Sequence, residues 1–227
     1  MNGMHRPSKI EANIARPWSA FEERAHAISH AAGASLALIG GCFLVNRMVE
    51  TGDPTRILAA AIFSFTAFLL YGSSATLHAL PEGPARDRFE VLDHIAIFLL
   101  IAGTYTPFTV GVLHGAWGIS ILGLIWSLAA IGIVTKLIQG PGRIINTTWL
   151  YVAMGWVILV AVRPLVRLMP LPGLLLMLAG GLSYTAGVGF FLARRMRFNH
   201  LIWHLFVLGG TSFHYFAILN YSGSAPE

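Results

Sequence analysis

The feature that most constrains this chain is how strictly its charged residues are segregated. Ala25 to Asn46, Ile57 to Pro81, Ile144 to Val162, Leu168 to Ala193 and Phe198 to Pro226 contain no Asp, Glu, Lys or Arg. His94 to Thr135 is also free of them and is long enough for two such segments. An α-helix rises 1.5 Å per residue, so crossing a bilayer core takes about 20 mostly apolar residues. The runs predict an all-α integral membrane protein, a bundle of seven transmembrane helices. The spans fall over residues 27–47, 57–79, 91–111, 116–136, 146–164, 171–192 and 200–220. A membrane barrel would instead alternate polar and apolar residues in segments of about 10. Charged residues make up 11% of the chain, far below the roughly 25% of a soluble domain.

The breaks between spans have their own chemistry. Pro81, Glu82, Gly83 and Pro84 stop the second helix, Gly111 to Gly115 gives a tight turn, and Gly140, Pro141 and Gly142 interrupt the chain before the fifth span. Pro107 lies inside the third span and is tolerated where neighbouring helices satisfy the freed carbonyl. Residues 1–22 read as a flexible cytoplasmic tail without the apolar core of a cleaved signal peptide. Residues 23–221 read as one membrane domain and 222–227 as a short C-terminal tail. Cys42, the lone cysteine, reads as a small buried packing residue.

Lys and Arg set the expected orientation. Arg6, Lys9, Arg16, Arg24, Arg86, Arg88, Lys136, Arg143, Arg194, Arg195 and Arg197 fall on the N-terminal side of the membrane; Arg47, Arg56, Arg163 and Arg167 fall on the other. That asymmetry predicts N-terminus in and C-terminus out. The net charge of +5 thus belongs to the rims and implies no nucleic-acid partner.

In this topology His78 ends the second helix, Asp93 opens the third, and His200 and His204 open the last, all at the cytoplasmic end. Ionisable groups at membrane depth are costly unless paired or functional. His200 and His204 are four residues apart and share a helix face, the spacing with which one helix offers two imidazoles to a metal. With His78 as a third nitrogen the set suits Zn2+ with one open position. Asp93 is either a ligand or, in the preferred reading, the group that holds the metal's water. Ser74, one turn before His78, either orients water or a carbonyl group, or bonds back to its own helix. Glu23 and His30, beside His26 at the entry to the first helix, are accessory candidates. Glu23 serves there as an anchor or proton acceptor, or pairs with Arg24 at the helix end. His214, deeper in the last helix, is expected to hydrogen-bond Tyr184 or another internal group, and Tyr105 to pack.

The residues from Glu23 to Tyr215 resemble the hemolysin III family, the bacterial branch of the progestin and adiponectin receptor superfamily. The stretches that carry the resemblance are Ser74-Ala75-Thr76-Leu77-His78, Leu92-Asp93-His94-Ile95-Ala96-Ile97-Phe98, Leu100 through Phe108, and His200-Leu201-Ile202-Trp203-His204. The resemblance implies that His78, His200 and His204 hold zinc and that Asp93 contacts its water. Glu23 and His30 match the polar start of the first helix, whereas His26 stands where bacterial relatives often have Asn. The wider superfamily resembles alkaline ceramidases, which implies a lipid amidase in a bacterial cytoplasmic membrane with membrane lipids as partners. Two other classes remain open: a receptor-like sensor or regulator with structural zinc, and a membrane-perturbing or pore-forming protein of the kind the family name suggests.

Overall fold

The computed structural model describes residues 17–142 and 145–222. Seven helical segments in it are long and apolar enough to cross a membrane. They are α1 (Ala20–Val49), α2 (Pro54–Ala79), α3 (Pro84–Phe108) with a π turn at Thr109–Leu113, and α4 (Gly115–Gln139). A broken fifth span follows, made of α5 (Ile145–Gly155), a 3-10 turn at Val157–Ala161 and α6 (Val162–Leu168); α7 (Leu171–Leu192) and α8 (Asn199–Tyr221) complete the chain. Arg6, Lys9, Arg16 and Arg143, all used to expect an orientation, lie outside the described residues.

Local chemistry extends several helices beyond their apolar runs. Ser19 caps α1 through the Glu22 amide, and the Glu22 carboxylate accepts from the Ser19 amide at 3.0 Å in return. The helix therefore starts at Ala20, and the boundary placed at residue 22 falls inside it. Ser222, assigned to the C-terminal tail, caps α8 and is buried. Asp53 caps α2, and prolines at the first turns of α2 and α3 occupy positions whose amides have no helical partner. The turn expected at Gly111–Gly115 is confined to His114 and Gly115, because the π turn carries the third span on to Leu113.

The third span is the most enclosed of the seven and organises the others. Phe98, Ala102 and Phe108 from it meet Phe63 and Leu70 of α2, Ile125 of α4 and Met154 of α5 in one core. Gly132 lets α4 approach so closely that a Cβ there would overlap the Phe98 ring. Tyr105 does more than pack. Its hydroxyl lies 2.9 Å from the carbonyls of Met154 and Gly155 and accepts from the Ile158 amide at 3.0 Å. It thereby satisfies the backbone groups freed where the fifth span breaks, the condition for irregular backbone at membrane depth. Cys42 is exposed on the outer face of α1, where small residues of a lipid-facing helix need no partner, and is not the buried packing residue expected. Lys136, counted with the rim, is buried with its Nζ 3.9 Å from Glu90.

α1 packs against both α2 and α8, which brings the start of α1, the end of α2 and the start of α8 together. Glu22 fixes that closure, because its second carboxylate oxygen accepts from the Phe198 amide at 2.9 Å. Phe198 itself adopts a left-handed conformation (φ 58°) as the chain turns into α8.

Candidate metal centre

At this junction six side chains meet: Glu23, His26 and His30 from α1, His78 from α2, and His200 and His204 from α8. His78, His200 and His204 are buried, and one nitrogen from each lies within 4.8 Å of the others. The Nε2 atoms of His78 and His200 are 3.1 Å apart. Two imidazoles on one tetrahedral zinc, at Zn–N distances of about 2.0–2.1 Å, place their nitrogens about 3.3 Å apart. The His78–His200 pair is spaced as two ligands of one ion would be, and the three-histidine set is geometrically compatible with metal coordination.

The surrounding groups orient these rings. His78 donates from Nδ1 to Glu23 Oε2 at 2.7 Å, leaving its Nε2 lone pair facing His200. Glu23 is held in turn by Arg86 of α3, whose Nη2 is 2.5 Å from the other carboxylate oxygen. Ser29 donates to the His26 carbonyl at 2.8 Å, so its hydroxyl oxygen accepts from His204 Nδ1 at 3.0 Å. That bond fixes the His204 tautomer with a free Nε2. Carboxylate and hydroxyl partners on the second ring nitrogen are what metal-ligating histidines characteristically have. Glu23 thus bridges His78 and Arg86.

His30 reaches the cluster differently: it stacks on His204 with centroids 3.5 Å apart and planes 10° from parallel. Asp93 is buried on the third span, with Oδ1 lacking a hydrogen-bond partner, and Ser74 lines one cavity with it. The sequence-predicted histidines thus converge with Glu23, and Asp93 and Ser74 share that cavity with His30, His200 and His204. His26 and Trp18 belong here too. His26 is completely buried, and the Trp18 indole lies 4.5 Å from the His200 ring centroid and 5.1 Å from that of His26. The spacing Glu23-x-x-His26-x-x-x-His30 signalled a shared helix face; nothing in the sequence signalled Trp18 or Arg86.

An apolar cavity of about 300 Å³ begins at this cluster. Ser74, Asp93, His200 and His204 form its polar end, and it continues toward His214. His214 stacks on Tyr184, with centroids 5.7 Å apart, and does not hydrogen-bond it, because the Tyr184 hydroxyl is engaged with Thr211. Leu159, Val162 and Val166 of the fifth span and Leu178 of the sixth line the cavity and are exposed.

Fold and site together define a multi-span helical membrane protein with a buried, metal-competent histidine cluster. Residues 18–215 match the model of the haemolysin-III related family, and the chain belongs to that family. It is 42% identical to Hemolysin-3 of Bacillus cereus over 200 residues, covering 88% of this chain and 91% of the relative. Against the Hemolysin-3 homolog of Bacillus subtilis (strain 168) it is 39% identical over 205 residues, 90% of this chain and 96% of that one. The human monocyte to macrophage differentiation factor is 27% identical over 218 residues, with 91% and 87% covered.

Proposed function

We propose that the chain is a zinc-dependent hydrolase of the bacterial cytoplasmic membrane, acting on a lipid amide or related lipid. The observation that carries this reading is the junction of two environments: a buried imidazole cluster able to hold a metal, and an apolar cavity whose lining includes His200, His204 and the Asp93 carboxylate. An acyl chain entering between the fifth and sixth spans suits such a lining, and its polar linkage would come to rest near Asp93. With the N-terminus inside, that chemistry takes place near the cytoplasmic face.

His78, His200 and His204 hold the ion. Zinc supplies Lewis acidity, polarising a carbonyl group and making water acidic near neutral pH. Asp93 accepts the proton as the water oxygen bonds to the carbonyl carbon, then returns it to the leaving nitrogen as the C–N bond breaks. A fatty acid and an amine result. The Ser74 hydroxyl orients Asp93 and the carbonyl group; Glu23 keeps the His78 lone pair on the centre, and His30 packs His204 in place.

The reading is tested by mass spectrometry of purified, zinc-loaded protein in liposomes containing an N-acyl sphingoid lipid. Time-dependent release of fatty acid that disappears in His204→Ala, with helicity retained, is the expected result. A zinc-loaded wild type that releases none from amide or ester lipids overturns it and favours a sensor with structural zinc.

A further inference from the structure

Arg194, Arg195 and Arg197 crowd into the turn between α7 and α8. Among the described residues none of the three makes an ion pair or a side-chain hydrogen bond, and neither does Arg24 of α1. Other arginines are matched: Arg47 with Glu50, Arg56 with Asp53 and Arg86 with Glu23.

The turn does not need these side chains for its own geometry. The Arg194 amide donates to the Leu192 carbonyl and the Met196 amide to the Ala193 carbonyl, both at 2.9 Å. The Asn199 side chain donates to the carbonyls of Phe190 and Phe191 at 3.3 and 3.4 Å, and the Phe198 amide donates to Glu22. Backbone, Asn199 and Glu22 hold the loop. Arg195 and Arg197 are exposed and Arg194 is half-buried, so an ordered turn presents three guanidinium groups with no internal partner.

Apolar side chains accompany the charge. Phe21 of α1 is 70% exposed and meets Phe198 edge-on, with centroids 6.1 Å apart. The Arg197 guanidinium lies over the Phe198 ring at 5.8 Å, and Leu192 is exposed where α7 ends. Arg24 is one turn beyond Phe21 on the same face of α1. Guanidinium groups match phosphate oxygens, and aromatic rings at the ends of membrane helices sit at headgroup depth. A soluble acidic partner would use the charges but not Phe21 and Leu192.

We infer that the α7–α8 turn, with Phe21 and Arg24 of α1, is a binding site for the headgroup of an anionic phospholipid. The inference is independent of the metal and of hydrolysis. Through Phe198 and Glu22 the turn is bonded to α1, so a headgroup held there braces α8 at the end that carries His200.

Titration of full-length protein in neutral detergent, read by native mass spectrometry at rising ammonium acetate concentration, counts bound lipid directly. The probes are phosphatidylglycerol and phosphatidylcholine with the same acyl chains, and inorganic phosphate is the competitor. Each arginine near an anionic headgroup is worth about 5-fold in binding, so wild type is expected to prefer phosphatidylglycerol by about 100-fold. The preference should shrink as salt rises. Arg194→Gln/Arg195→Gln/Arg197→Gln should lose it almost entirely, whereas Arg47→Gln, which removes a paired arginine, should keep it. Equal binding of the two lipids by wild type, or a triple variant that still prefers phosphatidylglycerol, overturns the inference. Displacement of phosphatidylglycerol by an equal concentration of inorganic phosphate also overturns it, by making the turn a site for free phosphate. Should the triple variant fail to fold, the wild-type preference and its salt dependence decide.

Discussion

Two groups of polar residues lie inside this bundle, and they meet the demands of burial in opposite ways. Midway along the helices, the Tyr71 hydroxyl donates to Thr211 Oγ1 at 2.6 Å, and Thr211 is also bonded to the Tyr184 hydroxyl at 2.7 Å. The chain joins α2, α8 and α7. At the histidine end, both nitrogens of His26 and His30, Nδ1 of His200 and Oδ1 of Asp93 are buried without partners. The Tyr71, Thr211 and Tyr184 hydroxyls satisfy one another. At the histidine end Glu23 aims His78 and Ser29 aims His204 while neighbouring nitrogens stay open, the pattern expected of side chains that await a ligand.

Breaking the waiting group should have the largest effect. His204→Ala removes one nitrogen from the three on which the metal reading rests, and zinc content is expected to fall from about one per chain to near zero by elemental analysis. Lipid turnover should disappear with it. Asp93→Asn sharpens the assignment: it should leave metal content unchanged while turnover falls by roughly 10²-fold or more, the scale of a lost general base. Loss of zinc in that variant would instead make Asp93 a ligand. Glu23→Gln keeps the shape of the anchor but removes its charge, and should weaken zinc retention by about 10–100-fold in chelator competition. Thr211→Val strikes the satisfied group. It should lower stability by about 1–3 kcal/mol in a denaturation series, leaving metal content alone, because two buried hydroxyls lose a partner.

The fold was legible wherever a physical requirement wrote itself along the chain. Charge-free runs fix the number of spans because hydrocarbon rejects ions, and the core of each span lies where those runs are. Span ends were less accessible. The charged sequence Glu22-Glu23-Arg24 argues against membrane depth, yet a Ser19–Glu22 capping box starts α1 there, a signal present in the sequence but not used. The interruption of the fifth span depends on Tyr105, which is some 50 positions away and reveals nothing locally.

The site divides along the same line. His78, His200 and His204 could be brought together because each closes or opens a helix, and topology alone puts those ends side by side. Asp93 followed from the same topology, at the start of the third apolar run, and Ser74 from helical spacing to His78. His26 was harder, since a shared face with Glu23 and His30 does not say how far inward a ring reaches. Arg86 counted only toward the charge of the rim, yet from the first turn of α3 it reaches Glu23 of α1. Trp18 precedes the first helix and packs on His200 only once Glu22 has tied Phe198 to the start of α1.

The claim on which the rest depends is that the histidine end binds zinc. Elemental analysis of detergent-purified wild type beside a folded His200→Ala/His204→Ala double variant tests it most directly. The account predicts about one zinc per wild-type chain and almost none in the variant, as a site built on these imidazoles requires. Wild type that stays metal-free after zinc is added, or a double variant that retains its zinc, would contradict it.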